Sequence, residues 1–336
     1  MPDVEPHLLL ATEIVRRIEG GELTAEAVVA SCLERIAVRE PVVRAWAYLA
    51  GAAALGQARA IDRAGKKTLL SGVPFGLKDI FDAVDMPATY GSPIYTGWWP
   101  SSDCSAAALP KAAGGVLLGK TITTEFANRH PGPTSNPHDP AFSPGGSSSG
   151  SAAAVADFMV PLAIGTQTGG SVIRPAAYCG VVGFKPSFGL FPPAGMRINT
   201  ETLDTVGIMA RAVGDIALFR AAIMAIPYQP PAMPETAPRL GLCRGTHWED
   251  AEPEGRAVLE AAADRLAAAG AKIVDTAFPT ECVAADDIQR TLGGFEGLRN
   301  HSPELYRHEA LLSAALRDEK IALGRKLTLE QFRDAF

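Results

Sequence analysis

Hydrophobic residues in the first part of the chain recur at helical spacing. Over residues 8–18 they stand three or four positions apart until a pair of glycines ends the run, which predicts a helix. Thr24 is placed to cap a second helix that runs to about Ala37, and an alanine-rich stretch at 51–64 predicts a third. Together these elements predict a helical layer over about residues 1–65.

The middle of the chain alternates short apolar runs with stretches rich in glycine, proline and serine. The longest of these stretches, residues 128–151, predicts a functional loop, because connections of that length are uncommon without a role. The apolar runs around it predict strands at 73–80, 116–118 and 160–164, helices at 106–113 and 152–158, and a second glycine-rich turn at 165–171.

Beyond residue 203, strands alternate with amphipathic helices. The predicted elements are helices at 213–226 and 254–269 and strands at 239–243 and 272–275. This alternation is typical of an α/β fold, with a mixed or largely parallel β-sheet core covered by helices. We expect a single domain over residues 1–336 that consists of the helical layer, a core at about 66–225, a proline-rich connection at 228–238 and a C-terminal α/β portion at about 239–336.

Composition narrows the class of protein. The 336 residues carry a net charge of −6, which argues against a nucleic-acid or anionic-membrane surface. Five scattered cysteines without a C-x-x-C pair predict neither a disulfide framework nor a zinc site. The first six residues lack the basic stretch of a signal peptide, and the longest apolar run, at 152–165, is interrupted by Asp157 and Pro161. We therefore expect a cytoplasmic, globular protein.

Residues 114–121 match G-x-x-x-x-G-K-T, the pattern of a phosphate-binding P-loop. A P-loop needs a strand before its first glycine and a helix after its lysine, so that backbone N–H groups converge on phosphate. Here a predicted helix comes first, and the apolar residues 116–118 fill the loop. A helix–turn–strand corner is favoured, and a nucleotide binder is the disfavoured alternative.

Residues 146–150 match G-x-S-x-G, the nucleophile elbow of α/β-hydrolases. That elbow requires a strand before it, whereas the preceding segment is too rich in proline to be a central strand. His247, His301 and His308 could formally complete a triad, but nothing singles out one of them. A polar loop is the favoured interpretation.

A lysine and two glycine-rich turns form a third constellation. Lys78 stands in a predicted apolar strand, where a lysine is unexpected unless it is paired or functional. Residues 145–151 supply several hydroxyl groups, and residues 168–171 supply successive backbone N–H groups around Ser171. Each feature alone is compatible with a surface cation or a solvated loop. Together they favour nucleophilic chemistry by serine and lysine.

At these residues the chain resembles the amidase signature family, serine hydrolases of carboxylic amides. The resemblance extends over collinear blocks at 72–79, 144–152, 165–176, 179–186 and 203–211. Ser147 and Ser171 also have the separation of 24 positions that the family keeps between its two catalytic serines.

The resemblance implies a role for each of these side chains. Ser171 would be the acylated nucleophile, Ser147 a bridging serine that follows a cis peptide bond, and Lys78 the base. A lysine acts as a base near neutrality only if its pKa falls by roughly 3 units, about 4 kcal/mol, which burial can supply. The oxyanion would be held by the backbone N–H groups of Thr168, Gly169, Gly170 and Ser171.

The expected reaction is hydrolysis of a linear amide through a serine acyl-enzyme, with release of ammonia or an amine. It needs no metal and no organic cofactor. The expected partner is a small-molecule amide, with neither nucleic acid nor membrane. A tRNA-linked amidotransferase role stays open because those subunits share the motifs, and so does a homo-oligomer. The pocket walls are not readable, and Tyr90, Trp98, Phe142 and Phe191 are candidates that core packing would explain equally well.

Several positions depart from the family pattern. Gln167 replaces the commoner Asp, and Ile173 takes the place of an Arg that is shifted here to Arg174. Ser149 and Ile208 replace a usual Gly and a usual Pro. These changes leave the catalytic groups in place but affect the residues around them.

The C-terminal end predicts an interrupted helix. Thr328 and Gln331 form a capping box, and Leu327 and Phe332 a hydrophobic staple, yet the sequence stops at Phe336. Family members usually continue further, so we expect a chain that lacks the usual C-terminal portion. A truncated or partner-dependent inactive relative is therefore the alternative function.

Overall fold

The computed structural model describes residues 4–336 of the chain. The strands are distributed along most of this length. They are β1 Trp46–Leu49, β2 Pro74–Lys78, β3 Val116–Thr121, β4 Leu162–Gln167, β5 Val182–Phe184, β6 Thr205–Ala210, β7 Arg239–Leu242 and β8 Lys272–Asp275.

Helices separate most of the strands. They are α1 Ala11–Glu19, α2 Ala25–Val43, α3 Gly51–Ala64, α4 Ser105–Ala112, α5 Ser149–Ala156, α6 Ile173–Cys179, α7 Val213–Met224, α8 Pro253–Ala268, α9 Ala285–Asn300, α10 Ser302–His308, α11 Ala322–Gly324 and α12 Leu329–Ala335. A π-helix spans Ala315–Ile321, and 3-10 turns occur at Pro6–Leu8, Pro93–Tyr95, Glu125–Ala127, Trp248–Asp250, Thr280–Cys282 and Glu309–Leu311.

A mixed sheet forms the centre of the described chain, with strand order β1-β3-β2-β4-β6-β5. The three inner strands β3, β2 and β4 run parallel, whereas β1 and β6 pair with them antiparallel. All residues of β2 are buried. This confirms the predicted α/β fold with a mixed sheet covered by helices. It also brings the carboxyl ends of β2 and β4 together, the edge at which open α/β sheets bind ligands.

The predicted N-terminal helices are present, with different ends. The first pattern divides into a 3-10 turn and α1, and Thr24 caps α2 by accepting a hydrogen bond from the Ala27 N–H at 3.1 Å. Helix α2 continues past Ala37 and through Pro41, because Val43 is fully buried and holds the last turn against the core. Tertiary packing thus extends this helix beyond its apolar pattern.

The helix predicted at 152–158 is present but shifted towards the N-terminus, and the strand and turn predicted after it are shifted towards the C-terminus. Helix α5 begins at Ser149, inside the predicted loop, and its Gly150 packs against the backbone next to β1 and β3: a Cβ there would be 2.3 Å from the Ala45 carbonyl oxygen and 2.4 Å from the Ile122 nitrogen. Strand β4 covers 162–167, so the predicted turn at 165–171 starts only after Gln167. Gly150 of the predicted loop and Gly165 of the predicted turn are in fact sites of close packing, since a Cβ on Gly165 would lie 2.7 Å from Ser148 Oγ.

The P-loop match is a strand. Residues 116–121 form β3, which follows α4 after a turn, so the predicted helix–turn–strand corner is confirmed. Lys120, the lysine of the pattern, is fully buried and donates a hydrogen bond from Nζ to Asp79 Oδ1 at 2.6 Å. The backbone amides of residues 116–121 belong to a sheet ladder, and the charge of Lys120 is already paired. This segment therefore cannot bind phosphate as a P-loop does.

The C-terminal portion contains the predicted α/β elements in a different arrangement. Strands β7 and β8 pair in parallel as a separate two-stranded sheet and do not extend the central one. The capping box at Thr328 and Gln331 is confirmed, with both reciprocal hydrogen bonds present. Across residues 4–336, the helices are too short or too polar to cross a membrane.

The buried pair of Lys120 and Asp79 predicts a large effect on stability. Asp79→Ala should lower the free energy of unfolding by about 3 to 5 kcal/mol, because it leaves a buried ammonium group without its counter-charge. Urea denaturation measures this. The matched control is Arg59→Ala, which breaks an exposed pair with Glu26 and should cost less than about 1 kcal/mol. Equal losses in the two variants would contradict the assignment.

Candidate active site

Lys78 is the last residue of β2 and is fully buried. Its Nζ donates hydrogen bonds to Ser147 Oγ and to Thr166 Oγ1, each at 2.7 Å. Thr166 belongs to the neighbouring parallel strand β4. The amine therefore lies between a loop and a strand end, in contact with two neutral hydroxyl groups.

This environment changes the basicity of the amine. Burial lowers the pKa of Lys78 to about 7 from its usual 10.5, and the negative charge of Asp204 partly opposes the shift. Desolvation disfavours the charged form, and a hydroxyl partner compensates for it less than a carboxylate would. Lys78 thus loses its proton near neutral pH, which is the property that the predicted role as a base requires.

Ser147 is held by its backbone in the loop before α5. The peptide bond between Gly146 and Ser147 is cis, and the side chain of Ser147 is buried. The guanidinium group of Arg174 donates to the Gly146 carbonyl oxygen at 2.8 Å, and the Thr124 N–H donates to the Ser147 carbonyl oxygen at 3.2 Å. Arg174, one of the departures from the family pattern, therefore fixes the backbone next to Ser147.

Ser171 lies in the turn between β4 and α6. Gln167 Oε1 accepts hydrogen bonds from the N–H groups of Val172 at 2.9 Å and Ile173 at 3.0 Å. A neutral amide thus holds the start of α6 at the position where a carboxylate is usual. The Ser171 carbonyl oxygen accepts from the Ser148 N–H at 3.3 Å, which ties this turn to the loop of Ser147.

The two serine hydroxyl groups are not joined by a hydrogen bond. In the described part of the chain, Ser147 Oγ is bonded to Lys78, while Ser171 Oγ makes no hydrogen bond. Hydrogen bonds of this kind often form only when substrate is bound. The structure therefore brings Lys78, Ser147 and the turn of Ser171 into one region, without a hydrogen bond between the two serine hydroxyl groups.

Asp204 connects the turn of Ser171 to the next loop. Its Oδ1 accepts from the Thr168 hydroxyl at 2.6 Å, and its Oδ2 accepts from the N–H groups of Asn199 at 2.7 Å and Thr200 at 3.0 Å. These bonds tie Thr168 to the loop at 199–200 and so anchor one end of the segment 168–171, whose N–H groups were predicted to hold an oxyanion.

A cavity of about 670 Å³ opens beside Ser171. Its walls include residues 168–171 and, from the C-terminal portion, Gln289 of α9 and Lys320 of the π-helix. Sequence reasoning missed this second wall, because α9 lacked a recognised pattern and is distant in the chain. The candidate walls Tyr90, Trp98, Phe142 and Phe191 do not line this cavity.

The histidine alternatives do not form a triad. Ser148, the serine of G-x-S-x-G, is buried and bonded to the backbone of Thr166. His301 is buried, bonds to Asn199 Oδ1 at 3.2 Å, and has its pKa lowered by burial to about 3. His247 is exposed and bonds to two aspartates. Among residues 4–336, clusters of His, Cys, Asp or Glu that could hold a metal ion are likewise absent.

Comparison with known proteins gives concordant results. A family model for amidases matches residues 27–304. A glutamyl-tRNA(Gln) amidotransferase subunit of Acidothermus cellulolyticus is 46% identical over 223 residues, which cover 63% of this chain and 44% of that protein. The protein of the same name from Streptomyces coelicolor is 37% identical over 324 residues, covering 87% and 65%. The chain thus spans about half to two thirds of the length of these relatives.

Solved structures share the architecture. A crystal structure of an amidase superposes with a TM-score of 0.87 at 30% identity, covering 97% of this chain and 76% of that one. The peptide amidase of Stenotrophomonas maltophilia gives 0.80 at 28% identity, covering 98% and 78%.

The lowered pKa of Lys78 predicts a pH-dependent difference in stability. Between pH 7 and pH 9 the unfolded chain keeps this lysine protonated while the folded chain releases the proton, so folding becomes more favourable as pH rises. The free energy of unfolding of the wild type, relative to Lys78→Met, should increase by about 2 kcal/mol over that interval. Urea denaturation of both proteins at the two pH values measures it, and a constant difference would refute the lowered pKa.

Proposed function

Because this chain belongs to the amidase family, we propose that it hydrolyses a small carboxylic amide through an acyl-enzyme on Ser171, with Ser147 as the relay and Lys78 as the base. The observation that carries the proposal is the 2.7 Å hydrogen bond between Lys78 Nζ and Ser147 Oγ in a buried site. A neutral amine in contact with a serine hydroxyl can remove its proton.

The proposed reaction begins with two proton transfers. Neutral Lys78 takes the proton of Ser147, and Ser147 takes that of Ser171 as Ser171 Oγ attacks the carbonyl carbon. The relay then returns a proton to the leaving nitrogen as the C–N bond breaks. Water attacks the resulting ester and releases the acid, with the same groups acting in reverse order.

The turn at 168–171 is the proposed oxyanion hole. Its successive N–H groups are available where charge develops on the carbonyl oxygen, and the bond from Thr168 to Asp204 keeps the turn in place before substrate arrives. Such preorganised donors act without reorganisation at the moment of reaction. This supports catalysis by the residues of the chain themselves.

A second candidate function comes from the names of the relatives, which are subunits of a glutamyl-tRNA(Gln) amidotransferase. In that case the chain would act as one subunit of a complex, and the reaction of the complex would modify the amino acid attached to a tRNA. Hydrolysis of a simple amide by the purified chain, with neither tRNA nor partner added, would favour the first proposal. Activity only in a complex would favour the second.

The nucleophile is tested by labelling with a fluorophosphonate and locating the adduct by mass spectrometry. We expect the adduct on Ser171, loss of labelling and of amide hydrolysis by at least about 1000-fold in Ser171→Ala, and normal labelling in Ser187→Ala, an exposed serine outside the cavity. An adduct on another serine, or full activity of Ser171→Ala, would overturn the proposed nucleophile.

The base is tested by the pH dependence of the same reaction. Since Lys78 must be neutral to accept a proton, the labelling rate should rise about tenfold per pH unit below pH 6 and level off above pH 8, with a midpoint near the pKa of about 7. Lys78→Met should label far more slowly throughout that range while remaining folded by circular dichroism. A rate independent of pH would contradict the role of Lys78.

A further inference from the structure

A second lysine lies in the cavity of Ser171. Lys320 belongs to the π-helix Ala315–Ile321, a rare form that occurs mostly at functional sites. Its Nζ donates to Asn199 Oδ1 at 2.6 Å and lies 3.4 Å from Thr200 Oγ1. Lys320 is outside the stretch 27–304 that matches the family, so the resemblance assigns it no role.

The path of this side chain depends on a glycine. A Cβ on Gly297 of α9 would lie 2.4 Å from Lys320 Cε and 3.2 Å from its Nζ. Any larger residue there would displace the lysine, so the side chain rests directly on the backbone of α9. The glycine and the π-helix together fix the path of Lys320, which lines the cavity.

The ammonium group has no counter-ion of its own. Among the side chains that the structure describes, no carboxylate lies within 4.0 Å of it, and its hydrogen-bond acceptors are neutral oxygens. By contrast, Lys120 is paired with Asp79. Partly buried charges are normally paired, so an ammonium group that lacks a carboxylate partner can accept an anionic ligand.

The group is charged at neutral pH. Burial lowers the pKa of Lys320 to about 8, and the charges of Asp204 and Glu296 limit the fall. Lys320 is therefore mostly protonated under conditions in which about half of Lys78 is neutral. The two lysines thus differ in charge at one site, and only Lys320 is suited to bind an anion.

Most of the other charged residues of the cavity are also positive. Arg129, Arg174 and Arg290 line it, and its acidic residue Glu319 is already paired with Arg129 at 3.1 Å. A cavity with an excess of positive charge attracts anionic ligands and disfavours cationic ones.

We propose that Lys320 forms an anion subsite beside Ser171, and that the preferred substrate is an amide that also carries a carboxylate. This inference rests on the proposed function and adds a substrate class to it. The carboxylate would accept a hydrogen bond from the Lys320 ammonium group while the amide carbonyl occupies the turn at 168–171.

The test compares charged amides with neutral counterparts. Monoamides of succinic, glutaric and adipic acid carry the carboxylate on the acyl part, and N-acetyl derivatives of glycine, β-alanine and γ-aminobutyrate carry it on the leaving amine. Their methyl esters are the neutral partners. For at least one pair in either series we expect the wild type to favour the carboxylate by tenfold or more in kcat/KM. A preference for the carboxylate below tenfold in every pair would overturn the proposal.

Variants then assign the preference to Lys320. In Lys320→Met the kcat/KM for the charged amide should fall at least tenfold more than that for its ester, whereas Lys320→Arg should keep much of the preference. The matched control is Lys326→Met, an exposed lysine beyond the π-helix, which should behave as the wild type. Equal losses for both members of a pair would mean that Lys320 only holds Asn199, and would overturn the proposal.

A binding measurement keeps the inference separate from the proposed function. Glutarate should slow fluorophosphonate labelling of Ser171 in the wild type and do so at least tenfold more weakly in Lys320→Met. If neither succinate, glutarate nor adipate slows the labelling of Ser171, the anion subsite is overturned, while the assignment of Ser171 as the nucleophile still stands. A wild type that is not labelled at Ser171 at all would instead count against the proposed function.

Discussion

The removal of Lys78 from water is the constraint on which the rest of the site depends. A lysine at the end of a fully buried strand keeps its charge only at a cost in free energy, and hydroxyl groups are the partners that the fold provides for it. The parallel arrangement of β2 and β4 makes this possible, because it brings the carboxyl ends of adjacent strands to one edge. The same burial that lowers the pKa also keeps Ser147 in contact with the amine.

Asp204 balances the charges around this edge. Its carboxylate accepts hydrogen bonds from Thr168 and from the loop at 199–200, and its negative charge opposes the fall in pKa of both Lys78 and Lys320. One carboxylate therefore supports the geometry of the turn and moderates the basicity of two amines. Asp204 belongs to the sequence block 203–211 that resembles the amidase family, and its structural role is to connect the turn of Ser171 to the loop at 199–200.

Local sequence patterns predicted much of the site and less of its surroundings. Lys78 was recognisable because a lysine is out of place in an apolar strand, and the turns of Ser147 and Ser171 because of their glycines. The cavity wall at 289–323 was not predictable, since it depends on contacts between segments more than 100 residues apart. Glycine was also a misleading signal: Gly150 packs against backbone and Gly165 of β4 against the Ser148 side chain, and neither marks a turn. Strands β7 and β8 were predicted, but their separation from the central sheet follows from pairing that no local pattern encodes.

Two walls of the cavity come from distant parts of the chain, one from the turn after β4 and the other from α9 and the π-helix. Substitutions in the distant wall can therefore alter which molecule the cavity accommodates while the proposed catalytic residues stay unchanged. Such a division favours diversification: a duplicated gene can acquire a new specificity by drift in one segment, without first losing and then rebuilding its catalytic apparatus.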